Sequence, residues 1–133
     1  MIIDTFYKYS WKIKIFYECT CDDTDYIINA LMDINCPSKY IKEAIDNLDS
    51  CNLNIGLTYS NLNLRSSVIV ISKTSSFAQL INTVSHEYYH LICHISKTLK
   101  ELDEEDFATL NGNLNMQSYK ILEKINKKSR FQK

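Results

Sequence analysis

The chain has 133 residues, 15 of them basic and 16 acidic, for a formal net charge of -1. That length suits one domain with its own apolar core, so neither a disulfide nor a metal is needed merely to fold it. The near-neutral balance gives no general electrostatic pull toward nucleic acid or anionic lipid, and the basic run KILEKINKKSRFQK reads as a solvated helix end with 128–133 as a flexible tail.

The N-terminal MIIDTFYKYSWKIKIFYE alternates apolar and charged residues too quickly for a signal peptide. No stretch approaches the ~18 apolar residues that span a membrane. The expectation is a cytoplasmic protein with no nucleic-acid or membrane partner. Cys19, Cys21, Cys36, Cys51 and Cys93 show no CxxC pairing and are expected as free thiols rather than as a four-cysteine metal site. No feature sets an oligomeric state.

In chain order, Trp11, Ile13, Ile15 and Tyr17 alternate with Lys12, Lys14 and Glu18, the period-two pattern of a half-buried strand. DDTD at 22–25 offers helix-start residues, and Tyr26, Ile27, Ala30 and Leu31 form a stripe that ends before Cys36-Pro37. A second helix is predicted from Ser38, with Tyr40, Ile41, Ala44, Ile45 and Leu48 inward. NIGLTYS and SSVIVIS, separated by the turn-prone NLNLR, read as a hairpin in which Gly56 marks a bulge or bend. Helical periodicity then runs from Ser76 to about Ser96, and a last long helix from Asp103 toward Lys127. The order of strand, two helices, hairpin and two helices predicts a single α+β domain over 1–133.

All three histidines lie in SHEYYHLICHIS, at His86, His90 and His94. On a helix, residues four apart are separated by about 40° around the axis and about 6 Å along it, so His86 and His90 can clamp one ion between two imidazoles. Glu87 stands a further step around, out of the coordination position but within reach of a water bound to that ion. Phe77, Ile81, Val84, Tyr88, Leu91 and Ile95 fall along one line nearly opposite the histidines, which predicts one core face and one face toward a cleft. His94 is about 12 Å from His86 along the axis, too far to share a zinc that holds nitrogens at about 2.1 Å. It is expected as a cleft-wall or outer-layer residue, or as a polar group near the helix end. Cys93 occupies the place where the longer H-E-x-x-H-x-x-G-x-x-H pattern has a glycine turn, so a third ligand must come from further along.

Downstream, KELDEEDFATLNGNL offers Glu101, Glu104 and Glu105, with Asp103 placed to cap a helix. Glu105, Ala108 and Gly112 recur at i, i+3 and i+7, a stripe whose small residues would let this helix approach the histidine helix closely. Glu105 is the preferred third ligand. Glu104, rotated off the stripe, is the alternative, and Glu101 precedes the helix. An acidic helix start is also ordinary helix-dipole electrostatics, with no metal required.

Residues 67–115, with SVIVIS, the helix FAQLINTVSHEYYHLICH and the segment EEDFATLNGNL, resemble the zinc metallopeptidases of the gluzincin type, most closely the minimal zincin-like domains of bacteria and phages. The first 55 residues carry no part of the resemblance. It implies a zinc held by His86, His90 and Glu105, a water in the fourth position, and Glu87 as general base in the hydrolysis of a peptide or protein substrate. It also implies that SVIVIS is the sheet edge beside the cleft, where an extended peptide adds as a strand; the same apolar strand would equally suit plain core. Larger members of such families add an oxyanion donor. None is evident here, leaving His94, Tyr59 and Tyr89 as candidates, while Tyr119 is too far along its helix. A catalytically inactive zincin-like domain, with structural metal and a protein partner, is the alternative function.

Overall fold

Four strands, β1 (Ile2–Lys8), β2 (Trp11–Cys19), β3 (Gly56–Asn61) and β4 (Ser66–Ser72), form one sheet in the order β1-β2-β4-β3. Four helices complete the fold: α1 (Thr24–Asp33), α2 (Ser38–Asp49), α3 (Phe77–Thr98) and α4 (Glu104–Asn126). The computed structural model describes residues 1–99 and 102–128. Of the expected tail only Lys128 is described, and Glu101 also lies outside the described residues.

The α+β expectation holds, and the sheet is mixed. β1 and β2 are antiparallel, β2 and β4 parallel, and β4 and β3 antiparallel. The parallel pairing follows from the crossover through α1, α2 and β3, which returns the chain to the sheet beside β2.

β1 is absent from the sequence expectation. Its link to β2 is the two-residue turn Tyr9-Ser10, with φ of 52° and 60°, the left-handed pair of a type I′ hairpin. Neither residue is the Asn or Gly that announces such a turn.

The sheet is covered on both faces. Trp11, Ile13, Ile15 and Tyr17 of β2 point with Ile69 and Ile71 of β4 toward Leu80, Val84, Tyr88, Leu91 and Ile95 of α3 and Leu110, Leu114, Leu122 and Ile125 of α4. Phe16, Val68 and Val70 point the other way, against Ile27 and Leu31 of α1 and Ala44 and Leu48 of α2. β4 is buried at every position after Ser66, with an unbroken apolar run from Val68 to Ile71, because it is central and packed on both sides. That placement decides between the two readings of SVIVIS, which is core, and puts β1 and β3 at the two edges of the sheet.

Ser76 caps α3 by accepting from the Gln79 amide at 3.1 Å. Asp103 caps α4 reciprocally with Asp106, each side chain accepting from the other's backbone amide, at 2.9 and 3.1 Å. Tyr17 and Tyr88 place their hydroxyls 3.5 Å apart in the core, tying α3 to β2. Lys128 reaches the buried Glu18 carboxylate at 3.5 Å, tying the end of α4 to the same strand.

The cysteines are not all free. Cys21, in a single 3-10 turn after β2, is disulfide-bonded to Cys51, just past α2. Cys21 leaves the strand direction that would have aligned it with Cys19, and the α1–α2 hairpin brings its far end back over the turn, with a Cα–Cα distance of 4.9 Å. Cys19, Cys36 and Cys93 are free. Burial pushes the Cys19 thiol up to about 12, which leaves it a protonated core group at neutral pH. Closing a loop between residues 30 apart restricts the unfolded chain, so Cys21→Ser with Cys51→Ser is expected to lower the unfolding free energy by about 3 kcal/mol. Urea unfolding of the double variant against the oxidised wild type measures this, and an unchanged midpoint contradicts it. Among the described residues no helix is long and apolar enough to cross a membrane.

Candidate metal centre

α3 carries the histidines as the i, i+4 spacing dictates. His86 Nε2 and His90 Nε2 converge to 3.1 Å. Two nitrogens held at about 2.1 Å on one tetrahedral ion stand roughly 3.4 Å apart, so the observed spacing, that of a direct hydrogen bond between the rings, is also close to the spacing of two ligands on one ion. Both side chains face solvent, which leaves that point open to an ion and to a substrate.

The buried arc of α3 is rotated from the sequence expectation. Ile81 is 43% exposed, whereas Leu80 and Glu87 are buried. The rotation carries the Glu87 flank of the helix toward β3, the edge strand that the sequence reading had not placed there.

Glu87 is only 5% exposed. The Thr58 hydroxyl of β3 donates to Glu87 Oε1 at 2.8 Å, and Glu87 Oε2 stands 4.0 Å from His86 Nε2. One carboxylate oxygen is anchored on the sheet, and the other faces the histidine pair. A carboxylate fixed in this way needs no rearrangement to accept a proton beside the pair.

Gly56, the first residue of β3, makes room for it. A Cβ at this position would lie 2.5 Å from Glu87 Oε2 and 2.8 Å from both Cδ and Cγ. Its φ is not positive, so glycine is required here for space rather than for backbone freedom. The sequence reading of Gly56 as a bulge or bend is replaced by a close approach of strand to carboxylate.

His94 is tied to the same edge strand, two residues beyond Thr58 on β3 and about two turns beyond Glu87 on α3. Its Nδ1 lies 2.7 Å from Ser60 Oγ, Ser60 Oγ lies 2.6 Å from Ser67 Oγ, and Ser67 Oγ accepts from Trp11 Nε1 at 2.8 Å. Burial, Lys97 and His90 all lower the pKa of His94, so the ring is neutral at pH 7. It lines a groove whose walls do not include His86, Glu87 or His90. Tyr59 packs its ring beside Tyr40, with centroids 5.8 Å apart, and Tyr89 projects outward from α3.

The acidic first turn of α4 is placed differently from the expectation. Glu104, Phe107, Ala108 and Asn111 face Ser85, Tyr89, Ile92, Cys93 and Ser96 across a groove of about 780 Å³ between α4 and α3. Glu105 is one step further around and exposed. Gly112 meets nothing within 4 Å where a Cβ would stand, so the small-residue stripe does not mark a close helix contact. The helices meet instead through Leu110 and Leu114. Among the described residues no three His, Cys, Asp or Glu side chains are gathered closely enough to hold one ion. The structure thus brings together His86, His90 and Glu87, and does not bring Glu105 or Glu104 to them.

Thr58 and Gly56 are the participants that sequence reasoning missed. Both lie on β3 at alternate positions, the one signal being that Gly56, Thr58 and Ser60 share one pleat face. Comparisons of the chain with protein-family models, with curated proteins and with solved structures find no match.

Proposed function

We propose that this chain is a zinc-dependent endopeptidase that uses His86 and His90 as metal ligands and Glu87 as general base. The observation that carries the reading is the convergence of the two Nε2 atoms to 3.1 Å beside a carboxylate oxygen 4.0 Å from His86. On this reading the domain is a small zincin-like fold of the gluzincin type, and a third ligand from the first turn of α4, Glu105 or its neighbour Glu104, would have to move toward the histidine pair, from which both stand apart. Zinc bound by such a set supplies a polarised water and a positive charge for the developing oxyanion. Glu87 Oε2 accepts the proton of the attacking water and delivers it to the leaving amine, while Thr58 holds Oε1 in place. A peptide would lie extended along β3, whose outer edge carries no neighbouring strand among the described residues.

Protein purified without added metal is expected to contain about one zinc per chain by mass spectrometry, and His90→Ala is expected to lose it. Wild-type protein free of zinc would sink the proposal. A second reading, a non-catalytic zincin-like domain that binds a partner, is favoured by one observation: the α4 carboxylates stand apart from the histidine pair. Zinc content without hydrolysis of any unfolded protein distinguishes it.

A further inference from the structure

At the edge of the sheet, β3 is flanked by a second groove, of about 320 Å³, between the start of α2 and the later turns of α3. Pro37, Tyr40, Tyr59 and Leu62 form its less polar walls, His94 and Lys97 line it from α3, and among the described residues no Asp or Glu lines it.

The hydrogen-bond chain behind His94 sets the direction of its protons. Trp11 Nε1 is only a donor, so Ser67 Oγ accepts from it. Ser67 is buried, and its own proton needs an acceptor, which is Ser60 Oγ at 2.6 Å. Ser60 is then left to donate to His94 Nδ1 at 2.7 Å. A neutral imidazole that accepts at Nδ1 carries its proton on Nε2, and Nε2 makes no hydrogen bond among the described residues. The chain of buried groups therefore fixes His94 as a donor at the groove, with the Lys97 ammonium beside it.

We infer that this groove is a subsite for a carboxylate of the bound peptide, held by the His94 Nε2–H and the Lys97 ammonium. The inference rests on the peptidase reading for the path of the peptide along β3. From Thr58, which holds Glu87, to Ser60, which holds His94, is about 7 Å along the strand, and from Glu87 to His94 is about 10 Å along α3. An extended peptide covers that span in about two to three residues. The recognised carboxylate is then an acidic side chain, or the chain terminus, about two to three residues from the bond over Glu87.

The test reads binding without turnover. Full-length Glu87→Gln protein is titrated, with NMR detection, with short alanine-based peptides: blocked at both ends with one Glu, blocked with Gln in its place, and an all-alanine peptide with a free C-terminal carboxylate. A carboxylate peptide is expected to bind about tenfold more tightly than the blocked Gln peptide, with shifts at Ser60 and His94, and His94→Ala is expected to remove the difference. The peptide that shows the gain identifies the carboxylate as side chain or terminus. Lys97→Met, at an exposed position, is expected to lower the preference with the fold intact, which keeps the test decisive if His94→Ala unfolds. A preference below about twofold, or one that survives Lys97→Met and a folded His94→Ala unchanged, overturns the inference. Zinc-dependent hydrolysis with no carboxylate preference sinks this inference alone, and a His94-dependent preference in a protein without zinc or hydrolysis sinks the peptidase reading alone.

Discussion

Glu87→Gln is expected to reduce peptide hydrolysis by about 10²- to 10⁴-fold while zinc stays bound. Gln has the shape of Glu, and its amide oxygen can still accept from Thr58, which now donates to Oε1 at 2.8 Å. The atom that replaces Oε2 is an NH₂ group with no lone pair to take a proton. His86 and His90, whose nitrogens form the candidate ligand pair, are untouched. The check is parallel measurement of metal content by mass spectrometry and of cleavage of an unfolded protein substrate. Cleavage within tenfold of wild type would remove Glu87 from the role of base.

The second large effect belongs to a residue with no functional group. Gly56→Ala places a methyl 2.5 Å from Glu87 Oε2, well inside van der Waals contact, so either the strand or the carboxylate must move. The carboxylate is the softer of the two, because β3 is held by its ladder to β4 across Gly56 to Asn61. Its displacement breaks the Thr58 bond and turns Oε2 away from His86. Overpacking of this kind costs about 1–3 kcal/mol of stability, and loss of the base's position is expected to cost activity about 10²-fold. Urea unfolding and hydrolysis rates measured on the same preparation separate the two effects. Full activity in a stably folded Gly56→Ala protein would show that the contact does not orient the base.

Much of the local structure could be read from periodicity. The alternation at Trp11 to Glu18, the helices α1 and α2, the hairpin around NLNLR and the long helices after Ser76 and Asp103 stand where the pattern put them, but Tyr26 and Tyr40, expected on the buried stripes of α1 and α2, are exposed at the ends of those stripes. β1 escaped because it is a partly exposed edge strand and its turn residues, Tyr9 and Ser10, adopt left-handed φ without being Asn or Gly. The Ile81 face of α3 was misjudged for a related reason. A helical wheel averages apolar residues evenly, whereas burial follows what packs against the helix, and here β3 draws the Glu87 side inward.

The sequence by itself determined the pairing of His86 with His90, the position of Glu87 beside them and the exclusion of His94 from the same ion, because all three follow from the repeat of a single helix. Only the tertiary structure decided which strand borders the site. SVIVIS is central, and β3 is the edge. It also decided that Cys21 bonds to Cys51, that Gly56 clears space for Glu87, that Trp11, Ser67 and Ser60 orient His94, and that Glu105 stands apart from the histidines. Each of these joins residues far apart in the chain, and strand order and the docking of whole elements bring such residues together through packing that no local periodicity encodes.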